Sequence, residues 1–101
     1  MIGGIDLVLE GPSQPEDWTI LQYEIKRRWP NAIFLRDNED GEWFACKDRA
    51  AYRKFLKEEI TGNDAFIHII MDDRFVTLVV DPPFEELGNQ ILRGLKTART
   101  T

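Results

Sequence analysis

Two kinds of hydrophobic periodicity alternate along the chain and predict its first elements. Apolar residues occupy every second position from Ile5 to Glu10, which is typical of a β-strand with one buried face. An apolar stripe at helical spacing then predicts helix one, which ends at about Trp29, before Pro30. Two strand-like runs, Ala32 to Asp37 and Glu42 to Lys47, flank an Asp-Gly turn and predict a hairpin.

The second half of the chain repeats this alternation. Asp48 is suited to cap helix two, over about Arg49 to Ile60, because its carboxylate can accept hydrogen bonds from the first backbone amides. The runs Ala65 to Met71 and Phe75 to Val80 are rich in β-branched and aromatic residues and predict a second hairpin. A third helical stripe begins after Pro82 and completes the pattern.

The resulting element order, βαββαββα, predicts a single α+β domain over residues 1–101, with a tail that frays from about Thr97. The first six elements have the order of the ferredoxin-like βαββαβ core, in which a mainly antiparallel sheet carries both helices on one face. A fifth strand and a C-terminal helix extend that core. Because many unrelated functions share this arrangement, it predicts architecture and no activity.

Alternation along the strands separates two faces of the expected sheet. One is uniformly apolar and is expected beneath helices one and two; it takes Ile5, Leu7, Leu9, Ile33, Leu35, Ile67, Ile69, Met71, Val76, Leu78 and Val80. The other is mixed and takes Val8, Phe34, Trp43, Phe66, His68, Ile70, Phe75, Thr77 and Val79. We expect the third helix to cover this mixed face, fully or in part, because its aromatic side chains must be buried against something.

Composition excludes several classes of function. The chain has 13 Lys and Arg against 18 Asp and Glu, a net charge of −5, which opposes general binding to nucleic-acid phosphates. Its single cysteine, Cys46, excludes an intrachain disulfide and is typical of a reducing compartment. No apolar run approaches the roughly 18 residues of a membrane span. We therefore expect a cytoplasmic protein that binds neither nucleic acid nor membranes.

Few residues suggest catalysis or metal binding. The segment from Asp37 to Gly41 invites comparison with a calcium loop, but alignment on its glycine places the cations Arg36 and Lys47 at ligand positions. Cys46 and His68 titrate nearest to neutrality, yet alternation places them on opposite sheet faces, which opposes a nucleophilic pair. We expect no cofactor and no metal, and we interpret Cys46 as a core residue.

Two functional hypotheses remain. The favoured one is a small, acidic, non-catalytic interaction module, comparable to an inhibitor or an immunity protein, that binds a basic protein partner. Its predicted partner-binding residues, in and after the acidic turn, are Asp37, Glu39, Asp40, Glu42 and Trp43. The alternative is a dimeric small-molecule-binding or enzymatic domain with a pocket between the mixed face and the third helix, lined by Phe34, Phe66, His68, Phe75 and Thr77.

Overall fold

The observed elements follow the hydrophobic periodicity closely. The computed structural model describes residues 4–37, 42–59 and 65–100. Its strands are β1 (Ile5–Glu10), β2 (Ile33–Arg36), β3 (Trp43–Cys46), β4 (Phe66–Met71) and β5 (Phe75–Val80). Its helices are α1 (Asp17–Arg28), α2 (Arg49–Leu56) and α3 (Glu85–Arg99), the last preceded by a short 3-10 turn at Pro82–Phe84.

Local hydrogen bonds fix several boundaries of these elements. Asp48 Oδ1 accepts a hydrogen bond from the Ala51 amide at 2.9 Å, which confirms the expected cap of α2. Between β4 and β5, Asp72 Oδ1 accepts bonds from the amides of Arg74 and Phe75, each at 2.8 Å. These amides lower the pKa of the Asp72 carboxyl, because they favour its charged form. The second hairpin is thus closed by its own turn residues.

The strands of the described residues form one antiparallel sheet in the order β1-β5-β4-β3-β2. The α+β class and the element order βαββαββα are as expected. The lateral order differs from that of a ferredoxin-like core, in which β1 would lie between β3 and β4. Here β3 pairs directly with β4. The short β4–β5 turn explains the difference, because it places β5 beside β4 and leaves the far side of β5 to β1.

Helices α1 and α3 pack side by side on one face of the sheet, which we call the covered face. Trp18 of α1 stacks on Trp43 with ring centroids 4.0 Å apart. Gly88 of α3 lies so close to the sheet that an added Cβ would be 2.5 Å from Leu7 Cδ1. The fully buried core of this layer includes Leu21, Ile25, Ala45, Ile67, Ile69, Val76, Leu78, Val80, Ile91 and Leu95.

Helix α2 lies on the opposite face of the sheet. Its Phe55 packs against Phe44 and Phe66, with ring centroids 5.0 and 6.0 Å away. The expectation that helices one and two share a face is therefore wrong, as is the expected covering of the mixed face by helix three. Because α2 has only 8 residues, it shields one end of that face, where Cys46 and Phe66 are buried.

The faces of β2 and β3 are the reverse of those expected. Their registers put Phe34 and Trp43 on the covered face and Ile33 and Leu35 on the other. Both faces of these short strands are apolar, so alternation alone does not determine which side is buried. Trp18 determines it, because its ring packs edge-on against Phe34 at 5.4 Å and stacks on Trp43.

A buried ion pair joins the start of α1 to the end of α3. Arg99 Nη2 donates to Asp17 Oδ2 at 2.6 Å, and Arg99 Nε donates to Oδ1 at 3.3 Å. The Asp17 side chain is 0% exposed and that of Arg99 is 17% exposed. The chain is therefore helical and anchored at Arg99, beyond the point near Thr97 at which we expected it to fray.

Candidate functional site

The sheet face opposite α1 and α3 is covered by α2 at one end only, and we call the uncovered remainder the open face. Val8 on β1 is 50% exposed and Phe75 on β5 is 38% exposed. The open face continues across β4 and β5 through half-buried side chains at His68, Ile70, Thr77 and Val79, and it meets α2 at Phe44. Exposed apolar side chains grouped on one face make that face a candidate interaction site.

A hydrogen-bonded and stacked histidine lies on this face. His68 Nε2 is 2.6 Å from Glu42 Oε2. The imidazole also stacks on the ring of Phe44, with centroids 4.4 Å apart and planes 12° from parallel. Because the Glu42 carboxylate can only accept, Nε2 carries the hydrogen of this bond. The two contacts fix the orientation of the imidazole, which is a polar group within a largely apolar surface.

Charged residues of the strands are sorted between the two faces. Asp6 and Glu10 of β1 lie on the open face, and Asp37 and Glu42, which adjoin β2 and β3, are on the same side by alternation. Arg36, in contrast, lies on the covered face. Among the strand and strand-flanking residues that the structure describes, the open face therefore carries carboxylates and no Lys or Arg.

A shallow depression borders the open face where α2 meets β2 and β3. Its volume is about 360 Å³ and it opens to solvent. Phe44 and Phe55 give it an apolar wall, with ring centroids 5.0 Å apart. The residues lining it are Leu35, Arg36, Asp37, Phe44, Phe55 and Leu56. Four of these six residues are apolar, so the depression is suited to apolar contact.

The residues predicted to bind a partner at the first hairpin do not form one surface. Glu39 and Asp40 lie outside the described residues. The Asp37 amide donates to the Glu42 carbonyl at 2.7 Å and closes the β2–β3 pair beside the open face. Trp43 lies on the covered face, where it is half-buried against α1. The hairpin hypothesis therefore retains two carboxylates on the open face, whereas its aromatic anchor packs on the other side.

The predicted pocket residues are divided in a similar way. His68, Phe75 and Thr77 lie together on the open face, and Phe66 lies on the same side but is buried beneath α2. Phe34 lies on the covered face against α1. Since α3 also packs on the covered face, the described residues form no pocket between α3 and this set of side chains.

Cys46 lies on the same side of the sheet as His68, contrary to expectation, because β3 and β4 are neighbours. The thiol is fully buried. Desolvation, followed in importance by the charge of Asp48, raises the pKa of Cys46 to about 11. The thiol is therefore protonated near neutral pH, and His68 is already bonded to Glu42. This arrangement opposes a nucleophilic Cys46–His68 pair.

A hydrogen bond of His68 within the sheet or to helix three was expected from the sequence, but the contact of His68 with Glu42 and Phe44 was not. A signal for it exists, because Glu42, Phe44 and Cys46 alternate along β3 just as Phe66, His68 and Ile70 alternate along β4. This pattern predicts the contact only if β3 and β4 are neighbours, as they are in the structure. The ferredoxin-like order places β1 between them.

Comparisons of the chain with protein-family models, with curated proteins and with solved structures find no significant match. Within residues 4–37, 42–59 and 65–100, no group of three or more His, Cys, Asp or Glu side chains could hold a metal ion. No helix in that part of the chain is long and apolar enough to cross a membrane. The functional interpretation therefore depends on the open face and its geometry.

Proposed function

We propose that this chain is a protein-interaction module that binds a basic protein partner on the open face. The observation that carries the proposal is the combination of an exposed apolar surface with carboxylates along the strands that form it. Val8 and Phe75 are the most exposed large apolar side chains of the sheet. An apolar centre bordered by charge is the usual composition of a protein-binding surface.

The pairing of β1 with β5 brings these features together. Phe75 lies directly opposite Glu10, and Val8 lies directly opposite Thr77. Side chains opposite each other in an antiparallel pair are about 5 Å apart, so a carboxylate stands beside the exposed aromatic ring. A partner side chain with a cationic head and an apolar stem, such as Arg or Lys, can contact both at once.

The same charges favour a different protein over a second copy of this chain. Two open faces packed together would bring the carboxylates of Asp6, Glu10, Asp37 and Glu42 from both copies into one interface, which is unfavourable. A basic partner would instead be attracted, and its association would become slower as salt screens the carboxylates. We expect the purified chain to be monomeric in analytical ultracentrifugation, and a dimer disrupted by Phe75→Ser would contradict the proposal.

Paired variants test the role of the open face. Proteins are captured from the source cells with the wild-type chain, identified, and produced in pure form so that their dissociation constants can be measured. Phe75→Ser should weaken binding of a basic partner by about tenfold or more, the effect expected for an interface anchor. Tyr23→Ser is the matched control, because Tyr23 is 64% exposed but belongs to α1, away from the open face.

The salt dependence gives an independent measurement on the same partner. Asp6→Asn combined with Glu10→Gln should slow association at low salt and flatten its dependence on salt, with little change in the dissociation rate. Equal binding by Phe75→Ser and the wild type would contradict the proposal, as would a captured partner that is acidic.

The depression beside α2 supports a second candidate function, binding of a small apolar molecule. It is bordered by aromatic rings and has a volume of about 360 Å³, within the range of ligand sites. Chemical-shift changes confined to Phe44, Phe55 and Leu56 on addition of a fragment library would favour this function. Binding of a protein across Val8 and Phe75 would favour the first.

A further inference from the structure

β1 forms one edge of the sheet and pairs, among the described residues, with β5 alone. The Gly11 amide donates to the Arg74 carbonyl at 2.8 Å, which makes this a hydrogen-bonded pair just beyond the end of β1. Hydrogen-bonded pairs alternate along an antiparallel ladder, so Leu9, Leu7 and Ile5 direct their backbone groups toward β5. The intervening residues direct theirs outward.

The outward residues are Asp6, Val8 and Glu10, which are also the exposed residues of β1 on the open face. Each carries one N–H and one C=O toward the open edge. Edge strands are usually protected by lysine, proline or a bulge. β1 contains no Lys or Pro, and its six residues pair with β5 in an uninterrupted register, so only the carboxylates of Asp6 and Glu10 protect this edge, and they would not repel a basic strand.

The opposite edge of the sheet is less suited to accept a strand. β2 has four residues, and the Asp37–Glu42 hydrogen bond places only Phe34 and Arg36 on its outward side. Arg36 would also repel a basic partner. β1 is therefore the longer of the two edges and carries the complementary charge.

We propose that the partner adds a strand to β1 through a segment with the pattern basic, any residue, apolar, any residue, basic. This inference rests on the proposed function and specifies how the same partner is recognised. Opposite residues of paired strands share a face, so the two basic side chains meet Glu10 and Asp6, and the apolar side chain meets Val8. The added strand runs antiparallel, as all neighbouring strands of this sheet do, so its basic and apolar residues are the ones whose N–H groups bond to Glu10, Val8 and Asp6. Backbone bonds to the edge supply affinity, and the three side chains supply selectivity.

Self-association through this edge is disfavoured by the same pattern. If two copies of β1 paired antiparallel about Val8, Asp6 of each copy would lie opposite Glu10 of the other. Like charges directly opposite each other destabilise a strand pair. The edge is therefore complementary to a basic strand and not to itself.

Amide hydrogen exchange of the full chain in the presence of a model peptide tests the inference. The probe is the capped peptide Thr-Lys-Thr-Val-Thr-Lys-Thr, which is added to the protein at concentrations up to the millimolar range. At ten times its dissociation constant, exchange at the amides of Asp6, Val8 and Glu10 should slow by about tenfold. One control peptide has the same composition but places the two lysines next to each other. A second control carries N-methyl groups on the backbone amides of Lys and Val, which removes the hydrogen bonds of these amides but keeps the lysine charges. Both should bind about tenfold more weakly or worse.

The outcomes separate this inference from the proposed function. Protection of the three β1 amides by the patterned peptide alone supports strand addition. Equal binding of the N-methylated peptide, with shifts spread over Phe75 and His68, overturns strand addition while leaving a basic partner on the open face. If none of the peptides binds, strand addition is overturned. The proposed function is then tested by the capture experiment alone.

A variant of the chain gives a second measurement on the captured partner. Val8→Pro removes one outward N–H, a position at which an edge strand tolerates proline. Val8→Pro should weaken binding of that partner by about tenfold, whereas Val8→Ile, which keeps the N–H, the apolar side chain and the β-branched shape, should weaken binding far less. If Val8→Pro fails to fold, the N-methylated peptide still provides the decisive comparison, because the protein in that experiment is unchanged.

Discussion

Replacement of Arg99 by leucine tests whether the buried ion pair holds α3 against α1. The change removes both bonds to Asp17 and leaves that fully buried carboxylate with the Gln14 amide, at 2.8 Å, as its donor among the described residues. A buried charge that loses its partner typically costs about 3–5 kcal/mol. A domain of 101 residues has a total stability of about 5–15 kcal/mol, so the variant should lose a large share of it.

Urea denaturation followed by tryptophan fluorescence measures this loss. The matched control is Arg93→Leu, because Arg93 is also on α3 and lies 2.9 Å from Glu86, but the two side chains are 67% and 70% exposed. Its effect should stay within about 1 kcal/mol. Combining Asp17→Leu with Arg99→Leu removes both charges and should give a more stable protein than Arg99→Leu alone. A loss below about 1 kcal/mol for Arg99→Leu would refute the reasoning.

Three further predictions concern single residues. Cys46 should react with thiol reagents only after unfolding. Because folding raises the pKa of its thiol from 9.0 to about 11, the free energy of unfolding should fall as pH rises between these values. The Cys46→Ala variant should not show this part of the fall in stability. Gly88→Ala should destabilise the protein in urea by up to about 2 kcal/mol. The new Cβ would lie 2.5 Å from Leu7 Cδ1 and displace that side chain, at an overpacking cost of about 1–3 kcal/mol, and alanine's higher helix propensity offsets about 1 kcal/mol of it. In an NMR titration, the carboxyl of Asp72 should show a pKa below its usual value of 3.8. Any stability that this carboxylate contributes is therefore present above pH 3.8 and is lost as the pH falls through the lowered pKa. An unshifted pKa would contradict the turn geometry.

The elements were readable from the sequence because most of them have a single clear period. β5 was predicted with its observed bounds, Phe75–Val80, and the cap of α2 at Asp48 was predicted from one side chain. The lateral order of the strands was not readable, because each helix has an apolar stripe that fits either sheet face. Gly88 and Gly94 offered a signal for α3, since glycine inside a helix indicates a close neighbour, here Leu7 for Gly88.

The candidate site was only partly predictable for the same reason. The mixed character of β4 and β5 around His68, Phe75 and Thr77 follows from alternation and is what the open face shows. Phe34 and Trp43 were assigned to that face because both sides of β2 and β3 are apolar, so hydrophobicity could not distinguish them. Their placement depends on the indole of Trp18, a contact between distant parts of the chain that no local pattern reveals.

The edge position of β1 also has a consequence for how the chain acquires its structure. β1 is the first element in the chain, yet its partner residues in β5 lie 65 positions away for Glu10 and 75 for Ile5. The β2–β3 and β4–β5 hairpins join residues close in sequence, whereas closing so long a loop carries a larger entropic cost and slows pairing. On the ribosome, the strand Ile5–Glu10 is synthesised well before Val80, so its apolar side chains lack their β5 neighbours until β5 has emerged. We expect β1 to dock last, onto a sheet already built from β2 to β5.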